Sequence, residues 1–278
     1  MRMQDVVDEA VAGTPGVRWS IFITPVGGGM PAGLRAEHDA DRRLRTASIG
    51  KILLLAETAR QIEDGILDPA EPLRRDPALA VADSGLWQHL AVDVLPVADV
   101  AVLVAAVSDN YATNVLLERI GLNRVSEMTA SLGLRDTSLN DRVRASRAPD
   151  DPRTLSNGTA RELAGLMSRI ALGELVTPGV SRRLDAWLAT NVDLSMVAAG
   201  FHLDPLAHHE DPATPDRGRR LRNKTGTDGG IRADVGYLSA DATLVYAVLA
   251  NWDAKTLDAT GAVMDAMRTT GSALRRAG

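Results

Sequence analysis

The stretch that decides the fold is TASIGKILLLA, residues 46–56. It leads from a polar, basic segment into an apolar run that is typical of a buried helix. Ser48 stands where this helix is predicted to begin, and Lys51 follows three residues later on the same helix face. The lysine amine is therefore expected within reach of the serine hydroxyl. Because a helix start also offers free backbone N–H groups, one turn holds a candidate nucleophile, a base and part of an oxyanion site.

Lysine is scarce in this chain. Of its 31 basic residues, only Lys51, Lys224 and Lys255 are lysines, and all the others are arginines. An arginine stays protonated, whereas a buried lysine amine can lose its proton and act as a base. Two of the three lysines lie in short motifs suited to serine chemistry. This distribution points to a chemical role for Lys51.

Two further motifs follow along the chain. Residues 108–110 are Ser-Asp-Asn between two predicted helices, where a hydroxyl and a carboxamide are suited to relaying a proton and holding a substrate amide. Residues 224–227 are Lys-Thr-Gly-Thr at the end of a predicted strand. Gly226 would let a substrate backbone lie along that strand, while Lys224 and Thr225 would bind a carboxylate.

Composition limits the class of protein. The 278 residues allow one large domain or two lobes, and 45% hydrophobic with 24% charged residues is ordinary for a globular protein. A net charge of −5 without a basic tract argues against a nucleic-acid partner. The absence of cysteine excludes disulfides and thiolate chemistry. The longest apolar run, residues 100–107, is too short to span a membrane.

The sequence gives limited indications of compartment and cofactors. Residues 1–10 lack the apolar core of a signal peptide, so we expect a cytoplasmic protein; a secreted or periplasmic protein whose leader had been removed would look the same. His208 and His209, with His202 nearby, lack a regular ligand spacing, so neither a metal nor another cofactor is expected. The expected partner is a small-molecule substrate, and the oligomeric state is open.

The order of predicted elements favours an α+β fold. Predicted helices cover residues 3–12 and 255–275, with others starting near residues 48, 97, 110, 123, 158 and 181; predicted strands cover 17–25, 33–38, 221–226, 231–238 and 243–251. We therefore expect one catalytic domain with an antiparallel sheet built from both termini. Residues 1–42 and 212–278 would form this sheet lobe, and residues 43–211 an inserted helical lobe.

The three motifs, in this order, resemble those of the class A β-lactamases and penicillin-binding serine hydrolases. TASIGK at 46–51 is similar to the nucleophile motif, SDNYATNVLLERIG at 108–121 to the second motif with its helix, and KTGT at 224–227 to the third. The resemblance covers nearly the whole chain. It implies a β-lactamase/transpeptidase-like fold, an antiparallel sheet flanked by helices with an all-helical lobe inserted.

The resemblance also implies catalytic roles. Ser48 would be the acylated nucleophile and Lys51 its proton acceptor. Ser108 would deliver a proton to the leaving nitrogen. Lys224 would complete the catalytic group while binding the substrate carboxylate.

Substrate-binding roles follow from the same resemblance. Asn110 would hold the side-chain amide of the substrate, and residues 225–227 would bind its carboxylate and backbone. The N–H groups of Ser48 and Thr227 would form the oxyanion hole. Arg232 is placed like the family's carboxylate-assisting arginine. Trp87, which precedes the second motif, is predicted to stack on substrate, with a core position as the alternative.

One part of the family pattern is missing. The family's loops carry a glutamate that activates water to hydrolyse the acyl-enzyme, but the matching segment, residues 139–157, contains none. Its acids are Asp141, Asp150 and Asp151, and we expect the last two to pair with Arg142 or Arg144. The implied reaction is acylation by a β-lactam or a related carboxylate-bearing amide, followed by slow deacylation.

Two other functions stay open at this point. One is a cytoplasmic esterase, amidase or acyltransferase that acts on a metabolite. With a good leaving group in the substrate, such an enzyme has less need of a glutamate dedicated to deacylation. A binding protein could also keep the pocket without turnover.

Overall fold

In the computed structural model, residues 2–27, 32–206, 220–239 and 242–277 are described. The strands are β1 (Arg18–Val26), β2 (Ala36–His38), β3 (Leu44–Arg45), β4 (Pro72–Arg74), β5 (Val94–Pro96), β6 (Ser138–Leu139), β7 (Ser156–Gly158), β8 (Arg220–Asp228), β9 (Ile231–Ser239) and β10 (Thr243–Asn251). The α-helices are α1 (Met3–Ala12), α2 (Lys51–Glu63), α3 (Val97–Ala106), α4 (Asn110–Ile120), α5 (Leu122–Ser131), α6 (Ala160–Leu172), α7 (Pro178–Leu188) and α8 (Thr260–Ala277). The predicted α+β fold is confirmed.

A five-stranded antiparallel sheet is built from both ends of the chain, as predicted. Its strand order is β2-β1-β10-β9-β8. β1 and β10 pair from Arg18 opposite Asn251 to Val26 opposite Thr243, so the first and last strands form the centre of the sheet. β8 lies at an edge and pairs only with β9 within this sheet. One side of β8 is therefore free of any neighbouring strand in the sheet.

Hydrophobic cores cover both faces of this sheet. One core combines α1, α8 and the 3-10 helix Val197–Phe201 with one face. The other core combines helices α2 to α7 with the opposite face. Side chains alternate between the two along β10, where Val245 and Ala247 belong to one core and Tyr246 and Val248 to the other.

The division of the chain into a sheet lobe and a helical lobe stays a prediction. α6 lies within the range assigned to the helical lobe, yet it packs on β1, β9 and β10. Within the described residues, no helix is long and apolar enough to cross a membrane.

Several elements start later than predicted, and β2 begins at Ala36 because residues 32–34 form a 3-10 helix. α2 begins at Lys51 because residues 47–50 form a 3-10 turn instead. α8 begins at Thr260 rather than near residue 255, because the N–H groups of Thr256 and Leu257 bond to the carbonyl of Asp253 in a preceding turn. The short strands β3 to β7 were not predicted, because two- or three-residue strands carry no periodic pattern.

Close packing of α8 gives a test of the fold. A Cβ on Gly271 would overlap the carbonyl of Val197, whereas a Cβ on Gly261 in the same helix has nothing within 4 Å. Gly271→Ala should therefore destabilise the protein by roughly 1–3 kcal/mol through overpacking. Gly261→Ala should be neutral or stabilise it by up to about 1 kcal/mol, because alanine favours the helix. Urea unfolding measures both, and equal effects of the two substitutions would contradict this packing.

Candidate active site

Ser48 lies in the 3-10 turn Ala47–Gly50, directly before α2. Residues three apart eclipse in such a turn, so Ser48 and Lys51 share a face as predicted. The turn is held by Ser156 of β7, whose hydroxyl donates to the Ala47 carbonyl at 2.5 Å. Ala47 has a φ of 47°, which is strained for a residue with a Cβ. A tightly held turn therefore presents the serine to the cleft that it lines.

Gly226 brings β8 against this turn. Gly226 is buried, and a Cβ there would overlap the Thr46 carbonyl and come 3.2 Å from the Ser48 nitrogen. The glycine thus makes room for the protein's own backbone. Our prediction that Gly226 makes room for a substrate backbone is corrected, because the residue does not line the cleft.

Lys51 is fully buried beneath the cleft. Its Nζ lies 2.6 Å from the Ser108 carbonyl, 3.2 Å from the Ser108 hydroxyl and 2.9 Å from Asn110 Oδ1. Burial lowers the pKa of Lys51 well below its usual range, the nearby Lys224 cation lowers it further, and Asp109 opposes both. These effects together favour the neutral form of the amine, compared with an exposed lysine.

The predicted contact between Lys51 and the Ser48 hydroxyl is not formed. Among the described residues, none is hydrogen-bonded to that hydroxyl. The serine oxygen is therefore unengaged where it lines the cleft.

The Ser108 hydroxyl lies between two buried amines. Lys224 Nζ donates to it at 3.0 Å and to the Thr225 carbonyl at 3.0 Å. Burial lowers the pKa of Lys224 to about 8, although Asp193 and Asp234 act to raise it. The hydroxyl can accept from the Lys224 ammonium and donate to a neutral Lys51 amine. This arrangement forms a proton path from one lysine to the other.

Asp109 fixes the segment that carries this hydroxyl. Its buried carboxylate accepts from the N–H groups of Leu86, Trp87 and Ala112 at 2.7–2.8 Å, which caps α4. Ser108 itself has a φ of 53°, a second strained residue in the site. The cap therefore explains how the flanking side chains of Ser108 and Asn110 are both directed at Lys51.

Trp87 is fully buried and does not line the cleft. Its ring packs against Tyr111 at 5.9 Å, and its indole N–H donates to the Val92 carbonyl at 3.2 Å. The predicted stacking on substrate is therefore wrong, and the core alternative holds.

The free edge of β8 faces the cleft. The Thr225 carbonyl accepts from Lys224 Nζ, so it points away from β9. In an antiparallel ladder, backbone groups two residues apart point to the same side. The N–H of Thr227, which lines the cleft, therefore points off the same edge. It is available to an oxyanion together with the Ser48 N–H.

Arg232 lies opposite Thr227 on β9, as its predicted position requires, but its guanidinium is directed elsewhere. The guanidinium donates to the carbonyls of Asp228 at 3.1 Å and Ile231 at 2.7 Å, and lies 5.9 Å from the Trp252 ring. Arg232 does not line the cleft. Its predicted role in binding a carboxylate is therefore not supported by this arrangement.

The opposite wall of the cleft is the loop at residues 139–157. Its cleft-lining residues are Val143, Arg144, Ala145, Arg147 and Leu155, and no acid is among them. Asp141 is nearly buried; burial raises its pKa, but hydrogen bonds from Arg144 at 2.7 Å and Arg147 at 2.6 Å outweigh this and lower it. The two arginines thus occupy the carboxylate of Asp141, and its lowered pKa makes it a weak base.

Other contacts hold this loop closed. Asp151 pairs with Arg144 at 3.1 Å, as predicted, while Asp150 is exposed. Asn114 on α4 binds the backbone of Val143, accepting from its N–H at 2.8 Å and donating to its carbonyl at 2.9 Å. Sequence reasoning missed this role of Asn114, although the residue lies within the second motif.

Two acids near Lys224 were also missed. Asp193 lines the cleft and accepts the Thr225 hydroxyl at 2.6 Å. Asp234 is fully buried on β9 and accepts from Asn223 at 3.1 Å, Tyr246 at 3.2 Å and the Ala198 N–H at 3.1 Å. Burial raises the pKa of Asp234 to about 7. An acid flanked by Ala233 and Val235 in a mostly buried strand was the available signal for Asp234.

No group of three or more His, Cys, Asp or Glu side chains in the described ranges is placed to hold a metal ion. His208 and His209 lie outside the described residues. The cleft has a volume of about 620 Å³.

The chain is similar to known proteins over nearly its whole length. The sequence profile of the Beta-lactamase enzyme family matches residues 2–275, so the chain belongs to that family. No curated protein matches the sequence. The structure is similar to the β-lactamase from Sphaerobacter thermophilus, with 26% identity and a TM-score of 0.82 over 100% of this chain and 98% of that one.

Three further solved structures show the fold. PBP-A shares 22% identity and a TM-score of 0.79 over 99% of this chain and 95% of its own, and a PBP-A mutant with the same values is described as an acyl-enzyme complex with penicillin G. The β-lactamase from Xanthomonas campestris shares 22% identity and a TM-score of 0.78 over 99% and 97% of the two chains. The β-lactamase/transpeptidase-like fold that we predicted is confirmed.

Asp234 gives a pH-dependent stability test. The pKa of folded Asp234 is raised to about 7 from the ordinary 3.8. Between roughly pH 4 and 7, the folded state therefore keeps a proton that the unfolded state has already released. This contribution to stability is complete below pH 4 and is lost as pH rises through 7, by roughly 4 kcal/mol for about three pH units. Asp234→Asn should lose that slope in urea unfolding between pH 4 and 8.

The control is Asp258→Asn, which changes an exposed carboxylate far along the chain and should keep the wild-type slope. Identical slopes for the wild type and Asp234→Asn would show that Asp234 is ionised in the fold.

Proposed function

We propose that this protein is a serine hydrolase that forms an acyl-enzyme on Ser48 from a β-lactam or another activated small-molecule amide or ester. The observation that carries the proposal is the Ser108 hydroxyl, which lies 3.2 Å from Lys51 Nζ and 3.0 Å from Lys224 Nζ. A buried lysine pair joined by one hydroxyl is costly for a purely structural role, because each charge loses its hydration. The same pair is well suited to moving protons.

The first step is attack by Ser48 Oγ on the carbonyl carbon. The hydroxyl proton passes to Lys51 Nζ, whose neutral form is favoured by burial. The developing oxyanion accepts hydrogen bonds from the N–H groups of Ser48 and Thr227. The bond from Ser48 to Lys51 forms when substrate orders the hydroxyl, since catalytic hydrogen bonds often tighten only in the complex.

The second step expels the leaving group. Ser108 gives its proton to the leaving nitrogen or oxygen and regains one from Lys51, with the Lys224 ammonium stabilising the transient negative charge. Asn110 Oδ1 is engaged by Lys51 at 2.9 Å, while its Nδ2 makes only a long 3.4 Å bond to the Ala82 carbonyl. That amide N–H is suited to a substrate carbonyl.

Family membership supports β-lactams as the leading substrate class. The acyl-enzyme complex described for a PBP-A mutant with penicillin G supports the same class. The wall of the cleft at residues 139–157 favours slow deacylation, because none of its acids reaches the cleft. Without a positioned base, water attacks the ester roughly 10²–10⁴-fold more slowly.

A second candidate is an esterase or amidase acting on a metabolite that lacks a carboxylate. The specific observation in its favour is Asp193, whose carboxylate already occupies the Thr225 hydroxyl at 2.6 Å. A third candidate is a protein that binds such molecules without turnover. A test with penicillin G and activated esters distinguishes it from the two enzymes.

Penicillin G should acylate the protein once, on the peptide that contains Ser48, and the adduct should persist. Nitrocefin should give a stoichiometric burst followed by slow turnover, because acylation has its base and deacylation has none. Intact-mass spectrometry and stopped-flow absorbance measure the two quantities. Ser48→Ala should give no adduct, and Ser131→Ala, a matched change at an exposed serine, should behave as the wild type.

Three outcomes would contradict parts of this proposal. An adduct on the Ser48→Ala variant would show that Ser48 is not the nucleophile. Rapid steady turnover without adduct would show that another group activates water. The absence of reaction with penicillin G and with activated esters alike would favour the binding protein.

A further inference from the structure

Asp193 stands where a substrate carboxylate would be expected to bind. It is partly buried in the cleft wall, and its Oδ2 accepts the hydroxyl of Thr225 at 2.6 Å. Its Oδ1 accepts from the N–H of Ser195 at 3.1 Å and from the Ser195 hydroxyl at 2.6 Å. Both carboxylate oxygens are thus held, and the side chain has a defined position beside the third motif.

The Thr225 hydroxyl cannot serve two acceptors. A threonine hydroxyl has one proton to donate, and in this structure that proton goes to Asp193. A substrate carboxylate at this place would therefore lose a hydrogen bond that the third motif was expected to provide. It would also face the negative charge of Asp193 in a partly desolvated wall, where like charges repel strongly.

The cations around the cleft do not compensate for this acid. Among the described residues, no lysine or arginine forms an ion pair with Asp193. Arg144 and Arg147 both bind Asp141. Arg232 donates to the backbone carbonyls of Asp228 and Ile231 and does not itself line the cleft.

Lys224 also lies at this end of the cleft. Two of its three N–H groups are committed to Ser108 and to the Thr225 carbonyl. Its charge is offset by Asp193, and also by Asp234 above the pKa of about 7 of that acid. Asp228 also lines this end and adds a second negative charge beside Thr227.

We propose that Asp193 is a specificity-determining residue that selects substrates whose leaving group carries a positive charge, such as an ammonium, and disfavours a carboxylate there. This inference rests on the proposed acylation of Ser48 and deepens it by naming which of the proposed β-lactams, activated amides and esters react fastest. A cationic group is paired with Asp193 without displacing the Thr225 hydroxyl, since a carboxylate has further lone pairs to offer.

Three esters test the charge preference. The neutral probe is phenyl phenylacetate. The other two are the same ester with a carboxylate, or with a trimethylammonium group, at position 3 of the phenol ring. In each reaction the ester C–O bond breaks and the phenylacetyl group passes to Ser48 Oγ. The serine proton moves through Lys51 and Ser108 to the departing phenolate. Because all three give the same acyl-enzyme, differences in burst rate report acylation alone.

The measured quantity is the second-order rate constant for acylation by each probe. Dividing it by the rate constant for hydrolysis of the same ester by hydroxide corrects for differences in intrinsic reactivity. The wild type should prefer the cationic ester over the anionic one by about tenfold or more. Asp193→Asn keeps an acceptor for Thr225 but loses the charge, so this preference should fall by about tenfold. The rate with the neutral ester is the reference within each variant, so a general change in acylation cancels in the comparison. Glu9→Gln, which removes an exposed charge on α1, should keep the wild-type preference.

The outcomes separate this inference from the proposed function. If all three esters acylate Ser48 and the preference is the same in the wild type and Asp193→Asn, the inference is overturned while the proposed function stands. If Asp193→Asn slows all three esters equally, Asp193 has only a structural role and the inference is overturned. If no ester labels Ser48, the proposed function is overturned, and this inference with it.

Discussion

The site depends on the burial of two lysine amines on either side of one serine hydroxyl. Lys51 and Lys224 are both fully buried, and both contact Ser108 Oγ. Two ammonium groups so close in an apolar interior would repel each other and lose their hydration, so the fold favours a neutral Lys51. The acids Asp193 and Asp234 near Lys224 help that amine to keep its proton. In the proposed mechanism, this difference between the two lysines sets the direction of proton transfer.

The surrounding fold maintains this arrangement by close backbone approach. Gly226 lets the edge strand β8 reach the turn that carries Ser48, and Asp109 holds the segment that carries Ser108. Strain at Ala47 and Ser108 is stored in these two segments, as is common at functional sites. The cores on both sides of the central sheet supply the rigidity that holds them.

The sequence predicted the central residues because their spacing is local. Ser48 and Lys51 are three residues apart, and apolar residues at helical spacing mark the helix after them, so their shared face followed from periodicity. The sheet from both termini followed from strand patterns at each end. Asp193 contacts Thr225 across 32 residues, and no local pattern predicts such a contact. The burial of Trp87, the packing role of Gly226 and the orientation of Arg232 depend in the same way on tertiary packing.

The most direct test of this account is the titration of the lysines themselves by NMR with 13Cε-labelled lysine. The chain has three lysines, so Lys255→Arg leaves two signals, and Lys224→Arg assigns them. The account predicts a midpoint near pH 8 for Lys224 and, for Lys51, a midpoint well below the usual lysine value of 10.5. If both signals titrate near the usual value instead, Lys51 is protonated at neutral pH and cannot be the base.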